Sequence, residues 1–462
     1  MKVKYEKIQG YIEARFQDTN KFFQSLKGQF IYEFKGNCMK GIDPVLRITG
    51  KNNDFIIEIL NERGKRFKDI IDVALAGESL ESNFAFEEKD RYKQKNISFV
   101  LRKVLELFKQ EKKVLFGLYG AFSYDFVRHF ESILKILPEN DVNDFDFFLF
   151  DTFLFDNELI LYREDKEEIV KDLKSVKKYL KIESKSFELK NVQFELSREK
   201  YEALVEVAKD YCKRGEIVEV VFSNLLTAEF LGDPYALYET YREASPSPYM
   251  FYFDFVDQQL VGASPEMMLK VEGKRVQMRP ISGTAKRGND LIEDHENMLK
   301  LLCDPKERSE LDMLIDLGRN DLSKVCKPDI KISDYRFVEK YSKVMHTIAH
   351  LEGELADEFT ALDALFACLN AGTLTGAPKV AAMNLIEKYE TERRGYYGGT
   401  IGYLTFSGEM DTAILIRTAH IKNGHLKFRV GATLLNQSNP SAEYEEIINK
   451  AAAFTSILKQ PI

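Results

Sequence analysis

The sequence predicts an α+β fold built on antiparallel sheets, and two observations carry that reading. Strand-like stretches come in groups instead of alternating strictly with helices, which argues against a parallel, doubly wound sheet. The chain is also long and apolar enough for a large core: 462 residues, 44% hydrophobic and 30% charged. That composition is globular and excludes a disordered or collagen-like chain. By length it would hold about two to four domains, or one large α/β unit.

The elements follow in order. Residues 44–48 and 55–60 read as strands, the second followed by a turn over 61–64. Residues 97–108 have helical periodicity. The stretch 145–161 is rich in Phe and Leu with interspersed Asp and Asn, and reads as paired strands. A lysine-rich helix-then-loop, 166–186, is expected to connect an N-terminal region, 1–190, to a C-terminal region, 197–460, the two forming one intertwined unit. Ser197-Arg-Glu-Lys opens like a helix cap, the helix runs over 201–214, and Gly215 ends it. Strands are expected at 217–222, 250–256, 260–263, 274–278, 401–406, 413–420 and 426–430. Helices are expected at 304–324, 360–368, 379–389 and 441–458.

The net charge is −8. A mildly acidic chain lacks the basic stripe that sequence-independent nucleic-acid binding requires. Cysteines at 38, 212, 303, 326 and 368 are odd in number and widely spaced, with no CxxC. They read as thiols in a reducing compartment, and a structural zinc site is not expected. The N-terminus, MKVKYEKIQGYIEARF, is charged throughout, unlike a signal peptide. No uninterrupted apolar run approaches the ~20 residues that cross a bilayer. The expectation is a cytoplasmic soluble enzyme, with no membrane and no nucleic-acid partner.

Two carboxylate pairs stand out. Glu307 and Glu310, and Glu443 and Glu446, each lie three apart on an expected helix, hence on one face. Two such faces meeting would make an oxygen-only cage for a hard cation such as Mg²⁺. Glutamates at that spacing are also the ordinary pattern of a solvated face, and Lys450, four after Glu446, fits a surface ion pair. His346, in SKVMHTIAHLEG, fits a satisfied core residue as well as a catalyst. Glycine-rich turns at Ser282-Gly-Thr-Ala, Ala371-Gly-Thr-Leu-Thr-Gly, Tyr397-Gly-Gly-Thr and Gly431-Ala-Thr would let a backbone approach an anion. None fits the dinucleotide or Walker A pattern. Arg417 ends a strand, where it would fork onto a carboxylate. Neither a Ser-His-Asp nor a Cys-His hydrolase signature is visible. Spacing alone therefore reaches an α+β enzyme with an anionic substrate, metal-dependent if the two glutamate faces meet.

The stretches SPSPYMFYFDF, LVGASPEMML, RPISGTAKRG, KERSELDMLIDLGRNDLSKV, VEKYSKVMHTIAHLEG, NAGTLTGAPKVAAM, RRGYYGGTIGYLTF, DTAILIRTA and SAEYEEIINKA add to this. In that order, over 197–460, the chain resembles the chorismate-utilising enzymes, and within them the large subunits of anthranilate synthase. The N-terminal third is similar more loosely, through FGLYGAFSYDFVRHFE and DPVLRI. The resemblance implies a sandwich of two large antiparallel sheets with outer helices and a central cleft. It implies Glu310 and Glu446 as Mg²⁺ ligands, with Glu307 and Glu443 in the water shell. It implies Glu266 as the acid that protonates a departing 4-hydroxyl, with a pKa raised by burial. Arg417 and Tyr397 would grip the enolpyruvyl carboxylate, Gly431 and Ala432 would offer backbone donors, and Lys450 would contact a substrate carboxylate. Thr373 would line the ring site and His346 would sit where protons move.

Within that family the nucleophile sets the product. Glu219 stands where water-using members carry a lysine, and Ser282 where many aminodeoxychorismate synthases carry a nucleophilic lysine. The resemblance thus implies attack by ammonia, with anthranilate and pyruvate as products in the first step of tryptophan biosynthesis from chorismate. Glu219 in place of the usual glutamine, and Gly431-Ala-Thr-Leu in place of GAGI, leave open aminodeoxychorismate or 2-amino-2-deoxyisochorismate as product. A non-catalytic chorismate-binding paralogue is the rival from another class. The sequence carries no glutamine amidotransferase signature, so glutamine-derived ammonia would come from a separate amidotransferase subunit.

Overall fold

The computed structural model describes residues 3–17, 29–34, 36–80, 88–156, 158–176, 186–341 and 344–457. Among these residues the chain forms two antiparallel sheets, one of 13 strands and one of 11. This is the α+β architecture of antiparallel sheets expected from the grouped strands, arranged as the two-sheet sandwich that the resemblance implied. Both sheets draw strands from the N-terminal region and from the region after residue 186.

The sheets face each other across an aromatic core. Phe30, on strand Gln29–Phe34 of the larger sheet, stacks on Tyr119, on strand Gly117–Phe122 of the smaller, with ring centroids 4.5 Å apart. Strand Phe145–Phe150 is buried along its whole length. The 34 phenylalanines of the chain find their explanation largely here, as bulk that fills the space between two wide sheets. The outer face of the larger sheet is covered by helices Arg198–Lys213, Pro234–Ala244, Lys379–Tyr389 and Pro440–Thr455. Phe454 of the last stacks on Phe428 of the sheet at 4.2 Å.

Local chemistry starts the two helices that matter most. Helix Pro305–Ser323 begins with Asp304 accepting from the amides of Lys306 and Glu307, and with proline in its first turn. Helix Pro440–Thr455 begins the same way, with Asn439 accepting from Ala442. Glu307 and Glu443 fall in those first turns, where the exposed amides favour negative charge.

Four departures from the sequence reading have physical causes. The expected turn at 61–64 is the start of helix Glu62–Leu75: the Asn61 side chain caps the amides of Arg63 and Gly64, so a turn-favouring residue opens a helix. The expected strand at 413–420 is two strands, Met410–Ile414 in the smaller sheet and Thr418–Lys422 in the larger. Arg417, at φ +50°, turns the chain between them. The expected strand at 217–222 runs much further, as Glu219–Gly232. Helix Leu291–Cys303 and strands Ile281–Lys286, Lys331–Lys340 and Val344–Glu354 carry too little alternation to have been anticipated. Of the connection expected at 166–186, helix Lys166–Val176 is present and 177–185 lie outside the described residues. Among the described residues no helix is long and apolar enough to cross a membrane.

Candidate active site

The first turns of helices Pro305–Ser323 and Pro440–Thr455 are brought within electrostatic reach of each other. The charge of Glu446 acts on Glu307 and Glu310 across the gap. Burial, then Glu307, pushes the Glu310 carboxyl up to about 7. Burial also raises Glu307 and Glu443. Glu446 is the exception. Burial opposes its charge, but Lys450, at 2.6 Å, brings its carboxyl below the usual range. Glu443 is buried and Glu307 and Glu310 are half-buried, while the Glu446 side chain is 46% exposed, so the two spacing-three pairs face each other at a partly open site.

Strand Glu219–Gly232 adds a fifth carboxylate. Glu219 is 1% exposed and neither carboxylate oxygen has a hydrogen-bond partner. Burial and the charge of Glu310 push it up to about 8.

Glu266 lies between strands Gln258–Ser264 and Met267–Glu272 and is 6% exposed. Burial pushes its carboxyl up to about 8, against the pull of Thr373, the Ile281 amide and Lys450. Thr373 holds it from the short helix Gly372–Thr375. His346 sits on strand Val344–Glu354, opposite Thr284. Its Nδ1 lies 3.0 Å from the Gly283 carbonyl oxygen. Thr284 Oγ1 lies at the same 3.0 Å from Nδ1; the tautomer with the hydrogen on Nδ1 is the one that satisfies the carbonyl, which only accepts, and it leaves the Nε2 lone pair free. Burial lowers the pKa and keeps the ring neutral.

Arg417 is fixed through its backbone, whose carbonyl accepts from Ala263 at 3.1 Å and Tyr241 at 3.3 Å. Burial disfavours its charged form. Among the described residues no carboxylate pairs with it, since Glu446, whose charge reaches it, is held by Lys450. A half-buried guanidinium with no carboxylate partner among the described residues is suited to an anionic ligand. The charge of Arg417 reaches both His346 and Tyr397.

Lys450 joins the groups. Besides Glu446 it donates to the Gly431 carbonyl at 2.9 Å, and its charge reaches Glu266, Glu310, Glu443 and His346. Position 431 needs glycine, because a Cβ there would lie 2.8 Å from the Tyr397 hydroxyl and 2.9 Å from the Phe222 carbonyl. Strand Thr418–Lys422 pairs with His425–Leu434 only as far as Phe428, which leaves that edge without a strand partner at Gly431. The Tyr201 hydroxyl, which donates to the Phe222 carbonyl at 3.0 Å, lies near the Ala432 amide. Ser282 is buried, with its Oγ 3.4 Å from the Glu307 carbonyl oxygen. It fastens the helix start to the adjoining strand. Gly283, at φ +66°, makes room for Glu307, whose Oε2 would lie 2.8 Å from a Cβ there.

One group escaped the sequence reading. Glu390 and Arg394 form a fully buried ion pair behind the site, and Arg429 joins it. Arg394 lies in the RRGYYGG stretch, and its four-residue spacing from Glu390 was the available signal.

Two facing sheets thus bring together a group of partly shielded glutamates and an arginine with no carboxylate partner among the described residues. The sequence matches the chorismate binding enzyme family over residues 57–456, and the chain belongs to that family. It is similar to anthranilate synthase component 1 of Aquifex aeolicus, 42% identical over 262 residues, 56% of this chain and 53% of that one. It is similar to anthranilate synthase component 1 of Acetivibrio thermocellus, 36% identical over 376 residues, 74% of this chain and 75% of that one. In the first of these, and in several others like it, the matched segment spans about half of the relative's length. Among solved structures, anthranilate synthase component I from Streptococcus pneumoniae TIGR4 superposes with a TM-score of 0.72 at 30% identity, covering 95% of each chain.

Proposed function

We propose that the protein is the large component of an anthranilate synthase, converting chorismate and ammonia to anthranilate and pyruvate. The observation that supports this best is Glu266, a carboxyl buried so that it carries its proton near neutral pH. In this reading Arg417 and Tyr397 hold the enolpyruvyl carboxylate and Thr373 orients Glu266. Ammonia adds at C2 and sheds its extra proton to solvent, the ring double bonds shift, and the C4–O bond breaks as Glu266 gives its proton to the departing hydroxyl. Water leaves. His346 Nε2 then takes the C2 proton, the bond from C3 to the enolpyruvyl oxygen breaks, and the enolate collects a proton to become pyruvate. Aromatisation drives that step.

The five carboxylates fit a hard divalent cation in charge and donor type: oxygen-only and close enough for their charges to act on one another. Among the described residues no three of them are drawn into one coordination shell. Glu310 and Glu446 would hold Mg²⁺ directly and Glu307 and Glu443 through water. The ion would neutralise the cluster and bind the ring carboxylate of chorismate. Ammonia would come from a separate glutamine amidotransferase subunit, in a reducing, cytoplasmic setting.

The test mixes the protein with chorismate, Mg²⁺ and ammonium near pH 8 and follows anthranilate fluorescence. Growth of fluorescence that EDTA abolishes is the expected result. Chorismate loss without fluorescence would assign an aminodeoxy product that keeps its enolpyruvyl group. No chorismate loss by folded protein would make the chain a binding paralogue.

A further inference from the structure

Arg394 grips the backbone of the segments that carry Glu219 and Thr373 and lies against the ring of Tyr397. Its Nη2 donates to the Val221 carbonyl at 2.7 Å, two residues beyond Glu219. Its Nη1 donates to the Leu374 carbonyl at 2.6 Å, next to Thr373. Its guanidinium lies 5.4 Å from the ring centroid of Tyr397, and 4.9 Å from that of Tyr124 on the other contact. Glu390 holds the fork, accepting from Nε at 3.0 Å and from Nη2 at 2.6 Å. Glu390 in turn takes the amide and hydroxyl of Ser223, on the same strand as Glu219. Both side chains of the pair are about 1% exposed.

From this we infer that Arg394 is a positioning residue for the reaction: it sets Thr373 against Glu266 and the Tyr397 ring against the substrate carboxylate. Only a planar fork with several donors reaches two carbonyls and a carboxylate at once; a lysine head cannot. A buried charge held by this many partners is costly to disturb, so the three segments share one register. The inference rests on the proposed roles of Thr373, Glu266 and Tyr397.

The test compares wild type, Arg394→Lys and Thr373→Val. Chorismate turnover is followed over about pH 6 to 10, alongside urea unfolding. Glu266 must be protonated to act, so kcat falls as pH rises through its pKa. Thr373 stabilises its ionised form, and misplacing that hydroxyl raises the pKa. The other charges near Glu266 are Lys450, which reaches it, and Asp321, which lines the same recess and is held by Lys379 and Lys324. These are unchanged in both variants.

Arg394→Lys is expected to raise the chorismate KM about threefold or more and to move the alkaline limb of kcat upward, as Thr373→Val does. A purely structural role would lower the active fraction and leave both unmoved, and that result overturns the inference. If Arg394→Lys does not fold, Glu390→Gln keeps the arginine and is expected to shift both in the same direction; no shift again overturns it. Infrared titration of the Glu266 carboxyl reads the same coupling without turnover. A wild type that leaves chorismate untouched thus refutes the reaction, while the titration still decides whether Arg394 sets Glu266.

Discussion

Thr373 Oγ1 lies 3.1 Å from one carboxylate oxygen of Glu266 and 3.3 Å from the other. A single hydroxyl hydrogen shared between two oxygens favours the ionised form, so it restrains the rise that burial imposes. Thr373→Val removes it at nearly constant volume. A hydrogen bond to a charged group contributes about 1.5–3 kcal/mol, or about 1–2 pH units. The alkaline limb of the kcat profile should therefore shift upward by about one unit or more. A rate profile against pH checks this; a limb that moves down would remove Glu266 as the acid.

Glu266→Gln separates function from stability. The carboxyl titrates near 8 in the folded chain against 4.5 in the unfolded one. A group whose folded pKa is raised binds its proton more tightly when folded. Its penalty is therefore absent below about pH 4.5, grows as pH rises, and is complete above about pH 8. At pH 7 that penalty is on the order of 3 kcal/mol. The glutamine variant should lose turnover by at least about a hundredfold, yet unfold at higher urea concentration than wild type at pH 7, with the gap closing toward pH 4.5.

Arg417 has no carboxylate of its own among the described residues, so a ligand carboxylate would be its first. Arg417→Lys keeps the charge and loses bidentate geometry. The chorismate KM is expected to rise about 10- to 100-fold, with a smaller change in kcat. Steady-state kinetics at saturating ammonium measures the split. A variant with unchanged KM would place the substrate carboxylate elsewhere.

The carboxylate cluster predicts metal dependence with a stability signature. Glu310→Gln removes a buried charge that repels Glu307 and Glu446. Turnover at any Mg²⁺ concentration should fall by about a hundredfold or more. The thermal midpoint without metal should stay level or rise, and the stabilisation that Mg²⁺ gives wild type should vanish. Thermal scans with and without EDTA read both.

Local patterns were readable in the chain, and convergence was not. The spacing of Glu307 and Glu310, and of Glu443 and Glu446, fixes one helix face at a time, because a helix repeats every 3.6 residues. That the two faces meet depends on sheets assembled from strands hundreds of residues apart. Resemblance supplied that meeting; periodicity could not. Arg417 was read as a strand end because AILI before it is apolar and Thr418 after it is β-branched, and nothing local announces a left-handed residue there. Arg394 was missed for the same reason in a stronger form. Its partners, Val221, Leu374 and Glu390, come from three separate segments, and only the last is near in sequence. Asn61 shows the reverse error, a local signal of real strength assigned to a turn when it caps a helix.

The crossing at Arg417 has a mechanical side. Strand Met410–Ile414 belongs to one sheet and strand Thr418–Lys422 to the other. The guanidinium is thus carried by the short stretch that rivets the two layers together. An anion clamped there takes hold of both layers at once. Sliding one layer over the other would move Arg417 with it, so an anion bound by that guanidinium would be sensitive to how the two layers pack.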